Sequence, residues 1–560
     1  MTSKASIRPY VNQAYLLGLL MVAVGLTLSP FLMGMSQFWL ALVWLVDALV
    51  SARHCGFDPQ SPHGRGFKSK LSRFWHNKAA VLLVAFYLMH VVGLLWTSDF
   101  QYAMKDLRVK LPILVMPFVL SSMEPLDRKR FNLVMLVYVL SVFVATQVSF
   151  FTYLKHDYDD IREISRFISH IRFCLNMVFC IAVIGWYMVK GKIHRKGEGA
   201  SKNVPAFGAK VAVDRFLQWS FLLWFVYQIY IFESLSGYVI LVAVAIVTVV
   251  YAFLRWQKGR GWRIAIAVLG LVAVLITVGI VWHEAKPLLK VEPVDFATLE
   301  KKTAQGNDYW HDTIHNPVED GKYVGLYYCR KELQEAWQQR SALPLNDSTN
   351  EGMVLESTLA RYLTSKGLRK DAQGVMALTD EDVHNIEQGV ANYNNWLHPG
   401  LRARLSSTLF EYGLYRKYNN PNGGSLSQRI EFTRASLHLI GQHPWFGVGT
   451  GDVPQAFSRA YDELHSPLKE EYRFRAHNQY LAIAVAFGLV GLVFFLFVLF
   501  YPWFASRRNH TYLYLVFLCI MLLSMFPEDT LETQAGTTLF AFFMALLLFA
   551  KPQRCLDVNQ

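Results

Sequence analysis

The sequence predicts an all-α, polytopic membrane protein of about twelve transmembrane helices that carries one large, mostly helical, outward-facing segment. Three observations predict it. The 560 residues are 53% hydrophobic and 14% aromatic but only 17% charged, which is too apolar for an ordinary soluble chain. The apolar residues are gathered into runs of about 17 to 25, the length that carries a helix across a hydrocarbon core of about 30 Å. The basic residues fall in alternate connections, as the positive-inside bias requires.

The runs begin near Ala14, Phe31, Ala79, Lys110, Phe131, Ile171, Arg215, Gly237, Ile264, Gln479, Tyr512 and Gly536. The first has no small-residue cleavage site and a second follows at once, so a removable signal peptide is not expected. Basic connections hold Arg53 to Lys78, Arg128 to Arg130, Lys192 to Lys210, Arg255 to Arg263, Arg507 with Arg508, and Lys551 with Arg554. A formal charge of +13 gathered on one face would suit nucleic acid; dispersed over these loops, it argues against that class. With the loops cytoplasmic, both termini are inside and residues 284–476 are outside, which in a bacterium is the periplasm. The chain then divides into residues 1–283 with about nine spans, the outer segment 284–476, and residues 477–560 with about three spans. The cysteines are Cys55, Cys174, Cys180, Cys329, Cys519 and Cys555; with only Cys329 in the outer segment, no disulfide forms inside it. No cysteine or histidine pattern has zinc-ligand spacing, so no metal is expected.

Two outward loops break the charge rule. One carries Lys105, Arg108 and Lys110 directly before a span; the other, Lys155 to Arg172, carries Arg162, Arg166, His170 and Arg172. Charge at membrane depth is costly and needs a partner or a task. Arg108 and Lys110 either snorkel to headgroups or bind an anion. Arg172, with His170 beside it, favours the anion-binding reading.

The outer segment reads as helical. Residues 359–367 form a helix stopped at Gly367, Thr379 caps the acidic first turn of another, and 427–441 form an amphipathic helix closed by Gly441. The turn His443-Pro-Trp-Phe-Gly-Val-Gly-Thr-Gly-Asp452 follows. Its glycines lack the βαβ surroundings of a nucleotide site, and instead suit backbone approach to a glycan or to another helix. His477 and Asn478 then cap the tenth span. Acidic runs at Asp157 to Asp160 and Glu528 to Glu532 read as solvated loops; Asp157 and Asp159 offer a minor metal option, and Glu528, Asp529 and Glu532 could order nearby arginines.

Four stretches, in order, resemble the O-antigen ligase family. They are His90-Val-Val-Gly-Leu-Leu-Trp-Thr-Ser, the helix centred on Arg429, His443 to Asp452, and His477-Asn-Gln-Tyr-Leu with Gly488 and Gly491 downstream. The resemblance implies an integral-membrane glycosyltransferase of C-type fold. Such an enzyme moves a glycan from undecaprenyl diphosphate to lipid A-core lipopolysaccharide on the periplasmic face of the inner membrane, without a cofactor or metal. It assigns His477 and Arg429 to catalysis and Arg404 to a further loop arginine. One departure stands out: where many members read Ser-Arg-Gly, this chain reads Glu233-Ser-Leu-Ser-Gly237, and Arg172, or Arg108 with Lys110, is the expected substitute. An insertion of unknown role occupies the region around 291–400.

The chemistry fits that reading. A periplasmic transferase has no ATP, so the leaving group must arrive with the lipid-linked donor. Guanidinium groups would stabilise the departing diphosphate, with Arg172, Arg404 and Arg429 as candidates, and Arg108, Lys110 and His170 as further diphosphate-binding candidates. His477, mostly neutral at its ordinary pKa of about 6.5, suits the base that takes the acceptor hydroxyl proton, and direct attack inverts the anomeric centre. A glycan polymerase or a protein O-oligosaccharyltransferase would use the same donor. A glycolipid transporter is a reading from another class, opposed by the lack of an inverted repeat.

Overall fold

The computed structural model describes residues 7–54, 67–155, 161–197, 207–232, 234–255, 260–350, 353–422, 424–506 and 511–551. Asp157, Asp159, Glu233, Cys55 and Cys555, with much of the basic loops, lie outside the described residues. Every apolar run of the sequence becomes a helix. These are α1 (Ile7–Leu28), α2 (Pro30–His54), α4 (Lys78–Val92), α5 (Phe100–Ser122), α6 (Arg128–Lys155) and α7 (His170–Gly197). They continue as α8 (Phe207–Ile231), α9 (Leu235–Arg255), α10 (Arg260–Leu289), α19 (Gln479–Ala505), α20 (Tyr512–Ser524) and α21 (Gln534–Ala545), with a short α3 (Phe67–His76) ahead of α4.

Among the described residues, seven helices are long and apolar enough to cross a membrane: Pro9–Leu28, Pro30–Val50, Lys78–Trp96, Arg128–Lys155, His170–Val189, Leu235–Leu254 and Gln479–Ala505. The protein is therefore an all-α membrane protein, with seven helices of this kind among the described residues where the sequence reading counts about twelve spans. The shortfall has visible causes in three helices. Helix α5 carries Lys105, Asp106, Arg108 and Lys110 together with internal Pro112 and Pro117, while α20 and α21 have only 13 and 12 residues.

The chain divides into two compact units, the first being Met1–Gly270, Phe432–Leu464 and Phe474–Gln560, the second Leu271–Glu431 and His465–Arg473. In the first unit, helices approach through small residues and paired polar groups, as expected where lipid tails offer no hydrophobic gradient between helices. A Cβ added at Gly25 of α1 would stand 2.6 Å from Met33 N of α2, and Trp39 Nε1 donates to Ala14 O at 2.9 Å. Helix α21 is buried from Leu539 to its end at Ala545, and the Phe543 ring meets Tyr138 of α6 at 4.7 Å and Phe179 of α7 at 4.7 Å. The Tyr138 hydroxyl donates to Asn176 Oδ1 at 2.7 Å, which locks α6 to α7.

The second unit folds around its own apolar core of Leu333, Trp337, Leu359, Tyr362, Leu363 and Ile386, all fully buried. Each such large side chain contributes on the order of 2 kcal/mol by leaving water. The core is supplied by α11 (Arg330–Arg340), α12 (Leu355–Ser365), α13 (Ala372–Met376), α14 (Asp380–Glu387) and α15 (Tyr393–Leu397), followed by α16 (Leu401–Tyr418). The expected stop of α12 is present: Gly367 has φ +73°, and Leu368 N donates back to Leu363 O at 2.8 Å. Thr379 forms a full capping box with Asp382 at the start of α14. A minimal hairpin, β1 (Val318–Glu319) and β2 (Lys322–Tyr323), turns through Asp320 and Gly321 at positive φ. Arg361 clamps Glu319 with two bonds of 2.8 and 2.7 Å. The inserted region around 291–400 is thus a folded element with a core, not a solvated excursion.

Candidate functional site

Helix α17 (Ser425–Gln442) runs past Gly441, the expected C-cap, and ends before Pro444, which has no N–H to continue it. The glycine turn that follows docks on α19, where Gly488 adopts φ +66°, ψ −167° and breaks the helix. Only glycine is at ease there, since a Cβ would stand 2.2 Å from the Trp445 carbonyl carbon. The break frees backbone groups that the turn satisfies: Val448 N donates to Val485 O at 3.0 Å, Gly449 N to Ala486 O at 2.9 Å, and Leu489 N to Pro444 O at 2.8 Å. Non-helical backbone in a span persists only where protein re-pairs it.

The same turn, which leads into α18 (Val453–Glu463), holds the connection between α4 and α5. Asp452 accepts from Ser98 N at 3.0 Å, Ser98 Oγ at 2.9 Å and Asp99 N at 2.8 Å; Thr450 Oγ1 donates to His90 O at 2.7 Å. Burial tends to raise the Asp452 pKa, but the Asp99 and Ser98 donors outweigh it and hold the carboxyl below its ordinary value. Two sequence stretches more than three hundred residues apart, His90 to Ser98 and His443 to Asp452, therefore form one joint. Of the readings open for the glycines, helix approach is the one observed.

Beside this joint lies a buried network of ionised groups. Lys110 of α5 is 1% exposed and donates to Asp106, one turn earlier, and to Glu532 Oε2 at 2.9 Å. Glu532, between α20 and α21, also meets Arg475 Nη1 at 3.2 Å and Gln479 Nε2 at 3.3 Å. Its burial raises the pKa, yet Lys110 and Arg475 prevail and keep it well below the usual carboxylate range. Arg475 further reaches the Tyr102 hydroxyl at 3.0 Å and Asp529 at 3.4 Å.

Two residues beyond Arg475 stands His477, with φ +44° in the left-handed region. Asn478 alone caps α19, accepting from Leu481 N at 3.1 Å, so His477 is not the second cap the sequence suggests. The imidazole stacks on Phe432 at 5.3 Å, meets the Phe474 ring edge-on at 5.9 Å, keeps 34% of its side chain exposed, and brings Nδ1 to 4.0 Å from Asp529 Oδ1. That distance is an electrostatic approach rather than a hydrogen bond. The result is an accessible imidazole, packed between two aromatic rings, beside a buried carboxylate.

The first acid of the same loop, Glu528, meets Arg172 Nη2 at 3.5 Å. Arg172, in the first turn of α7, keeps 14% of its side chain exposed, and its buried Nε has no hydrogen-bond partner among the described residues. Gly237 packs two residues further along the same helix, where a Cβ would stand 3.2 Å from Cys174 Cβ. Thus the Glu528 to Glu532 run, read as a solvated loop that could order arginines, is the hub for Arg172, Arg475 and Lys110.

The other sequence candidates divide. Arg108 is exposed and His170 half-buried, whereas Lys110 does not snorkel at all but is buried between two carboxylates. In the second unit, Arg404 Nη2 reaches Ser425 Oγ at 3.3 Å and Arg429 Nη1 reaches Ser425 O at 3.4 Å, so one serine gathers both. Arg475 and Asp106 are network residues the sequence reading does not single out, while Asp529 and Glu532 enter it only as groups that could order arginines. The lysine–aspartate spacing of four on α5, and an arginine two residues before His477, were the available signals.

His477, Glu528 and Asp529 offer ligand atoms within 4.8 Å of one another, a spacing that could hold a metal ion. Both carboxylates already face guanidiniums, so a cation there would displace Arg172 and Arg475.

The fold and this network define a multi-span helical membrane protein with an ionised cluster at the head of a broken span. A family model described as O-antigen ligase matches residues 405–496, from α16 through the glycine turn and His477 into α19, so over this stretch the chain is similar to the O-antigen ligase family. The resemblance drawn from the sequence is borne out. That match supports a ligase- or polymerase-like role. Comparison with curated proteins finds no match.

Proposed function

We propose that this protein is an inverting, metal-independent glycosyltransferase that moves a glycan from undecaprenyl diphosphate to lipid A-core lipopolysaccharide at the periplasmic face of the bacterial inner membrane. The remaining apolar helices are taken to sit in the bilayer with these seven, both termini in the cytoplasm and the segment 284–476 in the periplasm. The observation that carries the reading is His477, seated between Phe432 and Phe474, with Asp529 4.0 Å from its Nδ1. A carboxylate on that side favours the imidazolium that forms as Nε2 accepts the acceptor hydroxyl proton.

The oxygen of that hydroxyl attacks the anomeric carbon, the bond to the diphosphate breaks, and the leaving group carries away the electron pair. Arg172 is proposed to meet that charge. It stands on the helix turn that Gly237 packs against, in place of the arginine missing from the Ser234 to Gly237 turn. Lys110, with two carboxylates already on it, is better suited to holding Glu532 in place than to binding diphosphate. Arg429 and Arg404 keep the roles that the family resemblance gives them.

The test is transfer by purified protein from a defined undecaprenyl-diphosphate glycan to a lipid A-core acceptor, to a glycan repeat unit and to a protein acceptor, with and without chelator. Core-directed transfer that survives the chelator and disappears in His477→Ala supports the reading. Transfer only to repeat units makes the protein a polymerase, and transfer only to protein an oligosaccharyltransferase. Near-wild-type transfer by His477→Ala removes the histidine from the mechanism.

A further inference from the structure

The second unit carries an open pocket of about 480 Å³ that the proposed transfer does not use. Its wall is aromatic. Trp310 and Tyr328 oppose each other across an isolated antiparallel bridge, exchanging backbone hydrogen bonds of 2.8 and 3.0 Å, so both rings rise on the same side, with centroids 6.2 Å apart and planes at 86°. The Tyr328 ring is fixed by its hydroxyl, which donates to Glu356 at 2.5 Å; the Trp310 ring is 59% exposed. Among the described residues, the indole N–H makes no hydrogen bond.

Polar groups ring this platform. Asn307 is steadied by its Nδ2, which donates to Oε1 of the buried Glu332 at 2.7 Å, and Asp308 pairs with Lys302 at 2.8 Å. Arg330 is oriented by Asn346 at 2.9 Å and Glu356 at 3.0 Å. Lys331 is exposed and forms no ion pair among the described residues. The loop that presents Asn307 and Asp308 is closed by Tyr309 N to Lys301 O at 2.9 Å and Thr303 N to Asn307 O at 2.8 Å. The groups are preorganised, which lowers the cost of ordering them around a ligand.

An open indole face beside amide, carboxylate and ammonium groups matches a pyranose, which has a C–H face that lies on an aromatic ring and hydroxyls that both donate and accept. A protein-docking patch would instead offer contiguous apolar area, and here one exposed ring is surrounded by charge. The volume lies in the range that takes a small oligosaccharide. We propose that this pocket is a saccharide subsite, with Trp310 as its stacking platform and Lys331 selecting a glycan that bears an acidic substituent. It gives the inserted region a task separate from catalysis, and its occupancy does not depend on His477.

Full-length protein in nanodiscs, titrated by ligand-observed NMR with a uronic-acid-bearing oligosaccharide and its neutral counterpart, tests this directly. Trp310→Ala is expected to weaken both by about tenfold or more, Trp310→Phe to stay within about threefold, and Lys331→Ala to bring the acidic sugar down to the neutral one, all with unchanged thermal unfolding. His477→Ala is expected to bind as the wild type does. Equal binding by wild type and folded Trp310→Ala, or no binding by the wild type, overturns the subsite. Loss of binding in His477→Ala alone also overturns it, by placing the sugar at the transfer site. If transfer is absent while Trp310-dependent binding is present, the subsite stands and the transferase reading falls.

Discussion

Arg475 and Glu532 meet at 3.2 Å, and through that contact the chain two residues before His477 is tied to the loop between α20 and α21. Glu532 also holds Lys110 at 2.9 Å. One carboxylate therefore connects α5, the head of α19 and the loop that supplies Asp529. Glu532→Gln removes the charge and keeps the shape, leaving buried Lys110 with Asp106 and Arg475 with Asp529. Breaking a buried ion pair on one side costs on the order of 3 kcal/mol, so the variant should melt markedly earlier. Transfer measured well below its melting temperature should show a reduced kcat, as the Arg475 anchor loosens. Unaltered melting would mean that the network is not the brace it is taken to be.

The break in α19 yields a second expectation. At Gly488 a side chain meets both a backbone angle that only glycine tolerates and the Trp445 carbonyl carbon at 2.2 Å. Gly488→Ala should cost on the order of 3 kcal/mol from backbone strain and displacement of the turn, seen as lost accumulation or early melting. Gly185 in α7 has nothing within 4 Å of an added Cβ, so Gly185→Ala is the matched control and should be neutral or mildly stabilising. Equal behaviour of the two variants would separate the Gly488 angle from any structural need.

How much of this was readable beforehand depends on the range of the interaction. Helices announce themselves through local hydropathy and caps: Thr379, Gly367 and Asn478 each act within four residues. The glycine turn is legible as a place of close approach, but its partner at Gly488 is not, because nothing near Gly447 in sequence encodes which span is broken. The fate of Lys110 was hidden in the same way. Its spacing of four from Asp106 is visible on a helix, while Glu532 lies 422 residues away and decides that the lysine is buried rather than snorkelling. Long-range charge pairing is the part that sequence alone leaves open.

Arg172 and Glu528, 3.5 Å apart, make a further case. If Arg172 is the group that meets the donor diphosphate, Arg172→Ala should weaken binding of the undecaprenyl-diphosphate glycan by about tenfold or more and leave acceptor binding alone. Glu528→Gln frees the guanidinium from its resident anion, and should bind donor at least as tightly as the wild type. Equal losses of donor and acceptor affinity in Arg172→Ala would make the residue a structural brace of α7.

A pH dependence follows from Lys370 in the second unit, which is 3% exposed and donates from Nζ to Leu326 O at 3.0 Å. Burial, reinforced by Lys322, pushes its ammonium from an ordinary 10.5 down to about 8. Between those two values the unfolded chain holds a proton that the folded chain releases, so this lysine makes stability rise as pH rises through the window. At pH 7 its charge is a burden of about 3 kcal/mol at about 1.4 kcal/mol per pKa unit, while the carbonyl bond returns about 1 to 2. Lys370→Met should therefore stabilise the second unit by about 1 to 2 kcal/mol at pH 7. The gain should vanish or reverse near pH 10, where the wild-type amine is largely neutral and only the lost hydrogen bond remains. Protease susceptibility of the 284–476 region against urea, at both pH values, reads this out; a gain that is the same at pH 7 and pH 10 would show that Lys370 is not titrating in that window.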